Sequence, residues 1–424
     1  MRILLCCEFY APSVGGIQEV MRQLAEWLAA RGHTVTVATT YLPARTFDSL
    51  GGVSLQTFAI SGNLAKGMTG DLNAYRRFVT AGGFDVLMVY SAQQWTFDAL
   101  WPVLGDISCP KVFVPCGFSG LYEPGYAAYY AQMPGILAQL DMLVFNATRY
   151  RDIDLARAHG LDRWVVLPNG ASEVEFGVAA DASFRARHGI EGDAFLFLTV
   201  GSFTGLKGHE ALVSAFQKMP LPPGRRATLV LNGNEVQRLE RGALALARKF
   251  MGVARLHGVG HALRQVVRKL AGATSTIRAV ADEVNNTQPG KQVLVTDLPR
   301  AELTQAFMNA DLFVFASNIE YSPLVLFESA AAGTPFLTVD VGNAVEIAAW
   351  TGSGVICPST VDERGYTRVD DGVLAQKMEE WMQKPDELAQ VGLQGQRNWT
   401  EKFTWGKVAA SYEQLFRGLV ESRE

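Results

Sequence analysis

Two glutamates stand eight positions apart in residues 317–335, which read SNIEYSPLVLFESAAAGTP. Glu320 precedes an almost wholly apolar run, and Glu328 lies inside it. A helix through this run would bury Glu328, and a buried carboxylate is costly to desolvate unless it is paired. Glu328 therefore needs a partner, either elsewhere in the chain or in a bound ligand.

The start of this run has the features of a helix N-terminus that could bind an anion. Ser322 is expected to be the N-cap and Pro323 the first helical residue. A diphosphate bound at the stretch Ser322, Pro323, Leu324 and Val325 by its free backbone N–H groups, of which Pro323 supplies none, would bring an attached ribose close to Glu328. The carboxylate of Glu328 could then accept hydrogen bonds from both ribose hydroxyls.

Two other loops follow predicted strands and could also contact a phosphate. In residues 8–18, EFYAPSVGGIQ, Gly15 and Gly16 open a helix and would let backbone N–H groups approach closely, although an ordinary tight turn is the more frequent explanation of such a pair. In residues 200–210, VGSFTGLKGHE, Lys207 stands at the start of the next helix. A lysine there opposes the helix dipole, and a bound anion would remove that conflict.

Buried strand-like runs that alternate with helical segments must position these loops. The runs are RILLCC, HTVTVAT, DVLMVY, KVFVPC and MLVF in the first half, and AFLFLTV, ATLVLN, QVLVT, DLFVFA, PFLTV and GVIC in the second. Continuous apolar runs of this kind predict parallel sheets covered by helices on both faces. The fold class is therefore α/β, with two doubly wound Rossmann-like domains whose ligands bind at the carboxyl ends of the strands.

The predicted domain boundaries lie where this alternation breaks. An N-terminal domain is expected over 1–175 and a C-terminal domain over 190–398, with a polar stretch at 169–184 as the join. Residues 235–290 are expected to form a helical insertion, because they far exceed the dozen or so residues that a crossover requires. Residues 399–424 are expected to form a final helix that could cross back to the N-terminal domain.

The composition argues against nucleic-acid partners and membrane spans. The chain has 424 residues, a formal net charge of −4 and 48% hydrophobic residues, without a basic tail or a Lys/Arg stripe. No apolar run approaches the roughly 18 residues that span a bilayer, and the first residues resemble a strand more than a secretory signal. The five cysteines show no CxxC spacing and are expected to be buried in a reducing compartment. A cytoplasmic location is therefore expected.

Two further polar positions have plain explanations. The sequence RDID at 151–154 contains a DxD pattern, which could bind a metal at a strand end, but it lies in a charged stretch that is predicted to be helical. A solvated helix face is therefore expected there. His33 follows Gly32 after a predicted helix and is expected at the surface.

Several motifs together resemble those of the family 4 glycosyltransferases. They are the F..P..GG entry at 9–16, LPNG at 167–170, VG.....KG at 200–208, the glutamates at 320 and 328 followed by AAGTPFLTVDVGNAVEI, and FTW near 403. The resemblance extends over most of the chain, and only 235–290 falls outside it. It implies a GT-B arrangement, in which the two Rossmann-like domains face each other across a cleft.

The resemblance also implies an activity: a retaining hexosyltransferase that uses a nucleotide sugar and needs no metal or other cofactor. By this likeness Gly15 and Gly16 approach the donor phosphates or the acceptor, and Lys207 neutralises the diphosphate. Glu328 holds the ribose, so its partner would be the ligand, and Glu320 faces the transferred sugar. Lys207 and Glu320 are the expected catalytic residues.

The implied acceptor is a glycan, a lipid-linked molecule or a small molecule. A lipid-linked acceptor would bring the chain into peripheral contact with the inner membrane surface, as in the synthesis of cell-envelope polysaccharides. Cys116 and Tyr122 are expected on the acceptor side, where the tyrosines at 122, 126, 129 and 130 could stack on a sugar or pack between domains.

Three positions depart from the family pattern. Ser202 stands where many relatives have arginine, Cys116 where a histidine often follows the fourth strand, and Tyr321 where glycine commonly follows the first glutamate. Ser202 and Cys116 leave open a nucleotide-sugar-binding protein with weak catalysis. A second alternative on the same scaffold is a GT-B-type epimerase or a phosphorylase, although no Lys or His constellation for acid/base catalysis stands out in the sequence.

Overall fold

The computed structural model describes residues 1–234 and 273–423, and for 273–276 it describes the backbone alone. Most of the predicted helical insertion, 235–272, therefore lies outside the described residues. The chain divides into two compact units: Met1–Asn169 together with Trp405–Glu424, and Gly170–Thr404. Within the two described ranges, no helix combines the length and apolar character that a bilayer crossing needs.

The first unit contains a mainly parallel sheet. Its strands, in chain order, are β1 (Arg2–Cys6), β2 (Thr34–Thr40), β3 (Ser49–Leu50), β4 (Val53–Phe58), β5 (Ser61–Asn63), β6 (Gly67–Thr69), β7 (Val86–Tyr90), β8 (Lys111–Val114), β9 (Met142–Phe145) and β10 (Trp164–Val166). Strands β5 and β6 form a separate hairpin, and the other eight form one sheet in the order β10-β9-β8-β7-β1-β2-β4-β3. Neighbouring strands of this sheet are parallel except β3 and β4.

The order of these strands reverses between β1 and β7. The chain runs from β1 outward to β2 and β4 and then returns to the opposite side of β1 with β7. In doubly wound sheets, ligands bind beyond the carboxyl ends of the strands at such a switch point. The loops that follow β1, β7 and β8 are therefore the candidate binding loops of the first unit.

Helices of the first unit cover this sheet. They are α1 (Gly16–Ala30), α2 (Leu72–Ala81), α3 (Trp95–Asp98), α4 (Ala127–Leu137), α5 (Arg151–Ala158) and the final helix (Trp405–Glu421), with 3₁₀ turns at Trp101–Asp106 and Pro124–Tyr126. The pattern of α1 follows directly from its sequence. Val20, Met21, Leu24 and Leu28 are buried on one face at helical spacing.

The final helix packs against α1 within the first unit. It begins at Trp405, later than the predicted 399, because a separate helix extends to Lys402. His33 is only 7% exposed, and its Nε2 lies 2.9 Å from Oε1 of Glu413 on the final helix. The prediction that His33 lies at the surface is wrong, because a helix distant in sequence covers it.

The second unit contains a fully parallel sheet of six strands. The strands are β11 (Phe195–Val200), β12 (Ala227–Asn232), β13 (Lys291–Thr296), β14 (Leu312–Phe315), β15 (Phe336–Val339) and β16 (Gly354–Cys357), with a hairpin of β17 (Thr360–Val361) and β18 (Thr367–Arg368). Their order is β13-β12-β11-β14-β15-β16, so it reverses between β11 and β14. The loops that follow β11 and β14 thus meet at the switch point of the second unit.

Nine helices are described in the second unit. They are α6 (Glu173–Phe176), α7 (Phe184–Arg187), α8 (His209–Lys218), α9 (Ala273–Thr287), α10 (Arg300–Asn309), α11 (Leu324–Ala331), α12 (Ala344–Thr351), α13 (Asp371–Met382) and α14 (Pro385–Lys402). Helix α8 follows the loop after β11, and α11 follows the loop after β14. These two helices therefore begin at the carboxyl edge of the sheet, where a ligand would bind.

The stretch predicted as a polar join, 169–184, folds into the second unit. Ala171, Phe176 and Phe184 are all buried in its hydrophobic core. The first unit consequently ends at Asn169, before the predicted boundary at 175. The boundary prediction missed this because two aromatic side chains in a polar sequence find apolar partners only in the folded unit.

Candidate functional site

The switch point of the second unit brings Lys207 and Glu320 together. Nζ of Lys207, in the loop after β11, lies 2.5 Å from Oε1 of Glu320, in the loop after β14. The lysine side chain is 30% exposed and the glutamate side chain 13%. Two of the residues predicted from sequence therefore form one charged pair at the edge where ligands of such sheets bind.

A buried serine holds the Glu320 carboxylate in place. The hydroxyl of Ser317 donates to Oε1 of Glu320 at 2.8 Å, so this oxygen accepts from both Ser317 and Lys207. The ammonium group of Lys207 has three N–H donors. It can therefore contact a phosphate oxygen while it keeps its bond to Glu320.

Backbone contacts fix the two loops against each other. The amide of Asn318 donates to the carbonyl of Leu206 at 2.8 Å, immediately before Lys207. Gly208 has a φ of +73°, and a Cβ at this position would collide with the carbonyl oxygen of Ala316. The glycine after the lysine is thus required both by the left-handed backbone and by the close approach of the neighbouring loop.

His209, the first residue of α8, is a polar residue that the sequence analysis did not select. It is 3% exposed, and its ring packs on Phe203 with centroids 4.8 Å apart. Burial, and then the positive charge of Lys207, lowers the pKa of His209 to about 4. The imidazole beside Lys207 is therefore neutral at neutral pH and adds no second cation.

Helix α11 starts one residue later than the sequence predicted. Its N-cap is Pro323, with φ −69° and ψ 117°, and its first helical residue is Leu324. The assignments of Ser322 as the N-cap and Pro323 as the first helical residue are therefore wrong, because the ψ of Pro323 is extended. The N–H groups of Leu324 and Val325 lie in the first turn, where a helix binds anions.

Glu328 is buried in α11, as expected, but it has a partner inside the chain. Its side chain is 7% exposed, and its Oε1 lies 2.6 Å from the guanidinium of Arg300. The same guanidinium donates to Oε2 of Glu175 at 2.6 and 3.1 Å. The prediction that a ligand alone pairs Glu328 is thus wrong, while its contact with a ribose stays a prediction.

Arg300 is held by this arrangement of two carboxylates. Burial alone would lower the pKa of Arg300, but the charge of Glu328 and the contacts with Glu175 raise it above its ordinary value. Arg300 opens helix α10, far in sequence from both acids. Sequence reasoning had no signal for it, because neither its spacing nor its neighbours distinguish it from a surface arginine.

Gly15 and Gly16 lie at the start of α1 in the first unit. Gly15 is the N-cap, with an extended backbone, and Gly16 is the first helical residue. A Cβ on Gly15 would meet only the flexible end of the Gln18 side chain. Their approach to a phosphate or an acceptor stays a prediction.

Strained backbone marks the loops that follow β7 and β8 in the first unit. Within the described ranges, the non-glycine residues with positive φ are Ser91, Gln93, Cys116 and Phe118, and all four lie in these two loops. Such conformations cost free energy and cluster at binding and catalytic sites. Cys116, expected on the acceptor side, therefore lies in a loop with the features of a binding site.

Asp152 is hydrogen-bonded to the backbone of the loop after β8. It is fully buried, and its Oδ2 accepts a hydrogen bond from the amide of Gly117 at 2.9 Å. The expectation of a solvated helix face is therefore wrong for Asp152. Tyr122 is 71% exposed, and the guanidinium of Arg151 lies 5.1 Å from the centre of its ring.

The four tyrosines proposed for stacking separate into two groups. Tyr126, Tyr129 and Tyr130 are buried in the core of the first unit, whereas Tyr122 is exposed. The hydroxyl of Tyr129 donates to Oδ1 of Asp98 at 2.7 Å. Only Tyr122 therefore presents its ring to a possible acceptor.

Two acids with raised pKa values lie near the switch point of the first unit. Burial, and then the charge of Asp98, raises the pKa of Glu8 to about 7, although Lys66 opposes the shift. Burial raises the pKa of Asp98 to about 6, against the hydrogen bonds from Leu64 and Tyr129. A carboxyl group that titrates near neutral pH can donate a hydrogen bond to a hydroxyl group when it is protonated and accept one from it when it is ionised.

Cysteines and metal ligands add no further centre to the portions of the chain that the structure covers. Its cysteines form no disulfide there. No three His, Cys, Asp or Glu side chains in the same portions are grouped so that they could hold a metal ion.

Comparison with known proteins identifies two domain families in this chain. Residues 15–170 match the glycosyl transferase 4-like domain, and residues 272–396 match the glycosyl transferases group 1 domain. The first match lies within the first unit except for its last residue, Gly170, and the second lies within the second unit. Together they include Gly15, Cys116, Glu320 and Glu328.

Individual relatives agree with these matches. The chain is 26% identical over 290 residues to a D-inositol 3-phosphate glycosyltransferase of Segniliparus rotundus, which covers 67% of this chain and 54% of that protein. It is 28% identical over 268 residues to a phosphatidyl-myo-inositol mannosyltransferase of Mycolicibacterium smegmatis, covering 59% of this chain and 64% of that protein. The chain thus spans less than two thirds of the length of these curated relatives.

A solved structure supports the fold. The sucrose-phosphate synthase of Thermosynechococcus elongatus superposes with a TM-score of 0.73 at 19% identity, over 99% of each chain. At this level of identity the likeness establishes the fold alone. Both proteins contain two Rossmann-like α/β domains of the GT-B type.

A glycine substitution tests the close approach of the two loops. Gly208→Ala should destabilise the protein more than Gly205→Ala, because both sites have positive φ but only a Cβ at 208 meets another atom. The shared backbone cost is about 1–2 kcal/mol. Unfolding midpoints in denaturant measure the difference, and equal losses for the two variants would contradict the required close approach.

The raised pKa of Glu8 predicts a pH dependence of stability. A protonated, half-buried Glu8 stabilises the folded state below its unfolded pKa, and this contribution is lost as the pH rises through about 7. The unfolding midpoint of the wild type should therefore fall between about pH 5 and pH 8, and by less in Glu8→Gln. Thermal unfolding at several pH values measures this.

Asp141→Asn is the matched control in the same unit. Burial alone would raise the pKa of Asp141, but the amide of Lys111 and the Arg423 side chain lower it below the ordinary value. The contribution of Asp141 to the free energy of unfolding is therefore constant above its unfolded pKa. Asp141→Asn should leave the slope of the unfolding midpoint against pH unchanged between about pH 5 and pH 8. Identical slopes for wild type and Glu8→Gln would contradict the assignment.

Proposed function

The chain belongs to the family 4 glycosyltransferases of group 1, and from this premise we propose that it transfers a sugar from a nucleotide-sugar donor to an acceptor hydroxyl. We propose further that the anomeric configuration is retained. The observation that carries the proposal is the Lys207–Glu320 pair at the switch point of the second unit. It combines a cation for a diphosphate with a carboxylate for sugar hydroxyls.

The donor diphosphate would bind between Lys207 and the first turn of α11. Glu320 precedes that helix by a few residues, so a lysine paired with Glu320 lies close to the helix start. The N–H groups of the first turn and the ammonium group would both face the phosphate oxygens. Positive groups fixed in advance stabilise the negative charge that develops on the leaving diphosphate.

The transfer itself exchanges one bond at the anomeric carbon. The bond to the diphosphate oxygen breaks, and the leaving diphosphate takes the electron pair. The acceptor oxygen forms the new bond, and its proton passes to an oxygen of the leaving diphosphate. Glu320, oriented by Ser317 and Lys207, would position the transferred sugar through its hydroxyl groups.

Glu328 would bind the ribose of the donor. A carboxylate offers about four lone-pair positions, and the ion pair with Arg300 uses only part of this capacity. Its place on α11, beyond the first turn, puts it on the nucleoside side of a diphosphate bound at the helix start.

The acceptor would bind to the first unit, at the loops after β1, β7 and β8. Glu8 and Asp98 would exchange hydrogen bonds with its hydroxyl groups, and Tyr122 would offer a ring for stacking. The two curated relatives are named for an inositol phosphate and a phosphatidylinositol. A polyol, glycan or lipid-linked acceptor of cell-envelope synthesis is therefore proposed, with peripheral contact to the cytoplasmic membrane surface when the acceptor is lipid-linked.

A panel of nucleotide sugars tests the donor site. Thermal shift identifies the donor that stabilises the protein, because a ligand that binds only the folded state raises its stability by mass action. Lys207→Met should lower the affinity for that donor by at least about tenfold, since it removes a charged hydrogen bond to phosphate. Release of nucleoside diphosphate then reports catalysis.

Lys218→Met is the matched control for Lys207. Lys218 also has a carboxylate partner, Asp371 at 2.7 Å, but it lies at the opposite end of α8. Its loss should leave donor affinity unchanged. Equal weakening by both variants would contradict the phosphate role of Lys207, and donor binding without any release of diphosphate would point to a binding protein.

Catalysis is expected to be independent of divalent metal. The positive charge for the leaving diphosphate would come from Lys207 and from the first turn of α11, so no cation is needed to bridge the phosphates. The measurement is the initial rate of sugar transfer before and after treatment with EDTA. A complete loss that magnesium or manganese restores would overturn this prediction.

A further inference from the structure

We propose that Arg300 is a positioning residue that gives the donor site its selectivity for a ribose with free hydroxyls, by fixing the carboxylate of Glu328. This inference rests on the proposed donor site and adds to it a residue outside the motif. Arg300 would not touch the nucleotide. It would act through Glu328.

The contacts of Arg300 support this role. Its guanidinium lies 2.6 Å from Oε1 of Glu328, and Nε and one terminal nitrogen donate to Oε2 of Glu175. The ring of Phe176, itself buried, lies 6.0 Å from the guanidinium carbon. The arginine is therefore held from three sides, although its own side chain is 39% exposed.

An arginine at this position requires a specific reason. Arg300 is the first residue of α10, where a cation opposes the helix dipole. Two carboxylates outweigh that cost, and the planar guanidinium can bind both of them at once because its five N–H donors are arranged in a rigid fork. A lysine could supply the charge but not this geometry.

The consequence for the donor follows from the geometry of a carboxylate. Once one oxygen of Glu328 is held by Arg300, rotation of the carboxylate is restricted, and its remaining lone pairs have narrower ranges of direction. Ribose hydroxyls that meet these directions form charge-assisted hydrogen bonds without any rearrangement. A sugar without those hydroxyls leaves the acceptors of Glu328 unpaired, and sites of this kind reject such analogues strongly.

The experiment compares nucleoside diphosphates with their 2′,3′-dideoxy counterparts. UDP, GDP and ADP are titrated by calorimetry, and the tightest binder is compared with its dideoxy form in wild type, Arg300→Met, Arg300→Lys and Arg187→Met. The wild type should prefer the ribose form by at least about tenfold, since hydrogen bonds to charged groups are lost in the dideoxy form. Arg300→Met should reduce this preference to about threefold or less, with Arg300→Lys between the two.

Arg187→Met is the matched control. Its side chain is 40% exposed, and it pairs with Asp181 and with Glu302 of α10, but it has no contact with Glu328. It should retain the full preference for ribose. If the loss of any surface arginine lowers the preference for ribose, Arg300→Met and Arg187→Met will lower it alike. That result would overturn the proposal.

The remaining outcomes separate this proposal from the proposed function. If the wild type discriminates and both Arg300 variants keep the full preference, the positioning role is overturned while the donor site stands. If no nucleoside diphosphate binds the wild type, the donor site itself fails and the role of Arg300 falls with it. If Arg300→Met does not fold, the result for Arg300→Lys tests the proposal. An unchanged preference for ribose in Arg300→Lys would contradict the need for the forked guanidinium.

Discussion

The reversal of strand order between β11 and β14 is the constraint on which the candidate donor site depends. Because β14 returns to the side of β11 opposite β12, the loops after β11 and β14 leave the same edge next to each other. Lys207 and Glu320 can form a pair only for this reason. The left-handed Gly208, packed against the carbonyl of Ala316, then holds the two loops at contact distance.

Both carboxylates of the donor motif already have cations in this structure. Glu320 is paired with Lys207, and Glu328 with Arg300. The cations of the chain therefore offset much of the free-energy cost of burying these carboxylates, and no ligand is needed for this, since a paired buried charge costs less than an isolated one. Binding of a donor would use the remaining hydrogen-bonding capacity of these pairs and would not have to compensate isolated charges.

The first unit repeats the same plan with different chemistry. Its strand order reverses between β1 and β7, and strained residues such as Cys116 lie in the adjoining loops. Near this switch point lie Glu8 and Asp98, whose burial raises their pKa values toward neutrality. Such groups suit uncharged hydroxyls better than phosphates, which agrees with an acceptor in the first unit and a donor diphosphate in the second.

Patterns in the sequence were enough to predict the two mainly parallel sheets, the helix that buries Glu328, and the loops that carry Lys207 and Glu320. These features are local, because apolar runs and helical spacing report burial directly. Arg300, Asp152 and His33 could not be assigned in this way, since each is buried or paired by an element distant in the chain. Such contacts form when distant elements pack together, and a polar side chain has the same sequence signal whether it meets water or a partner across the fold.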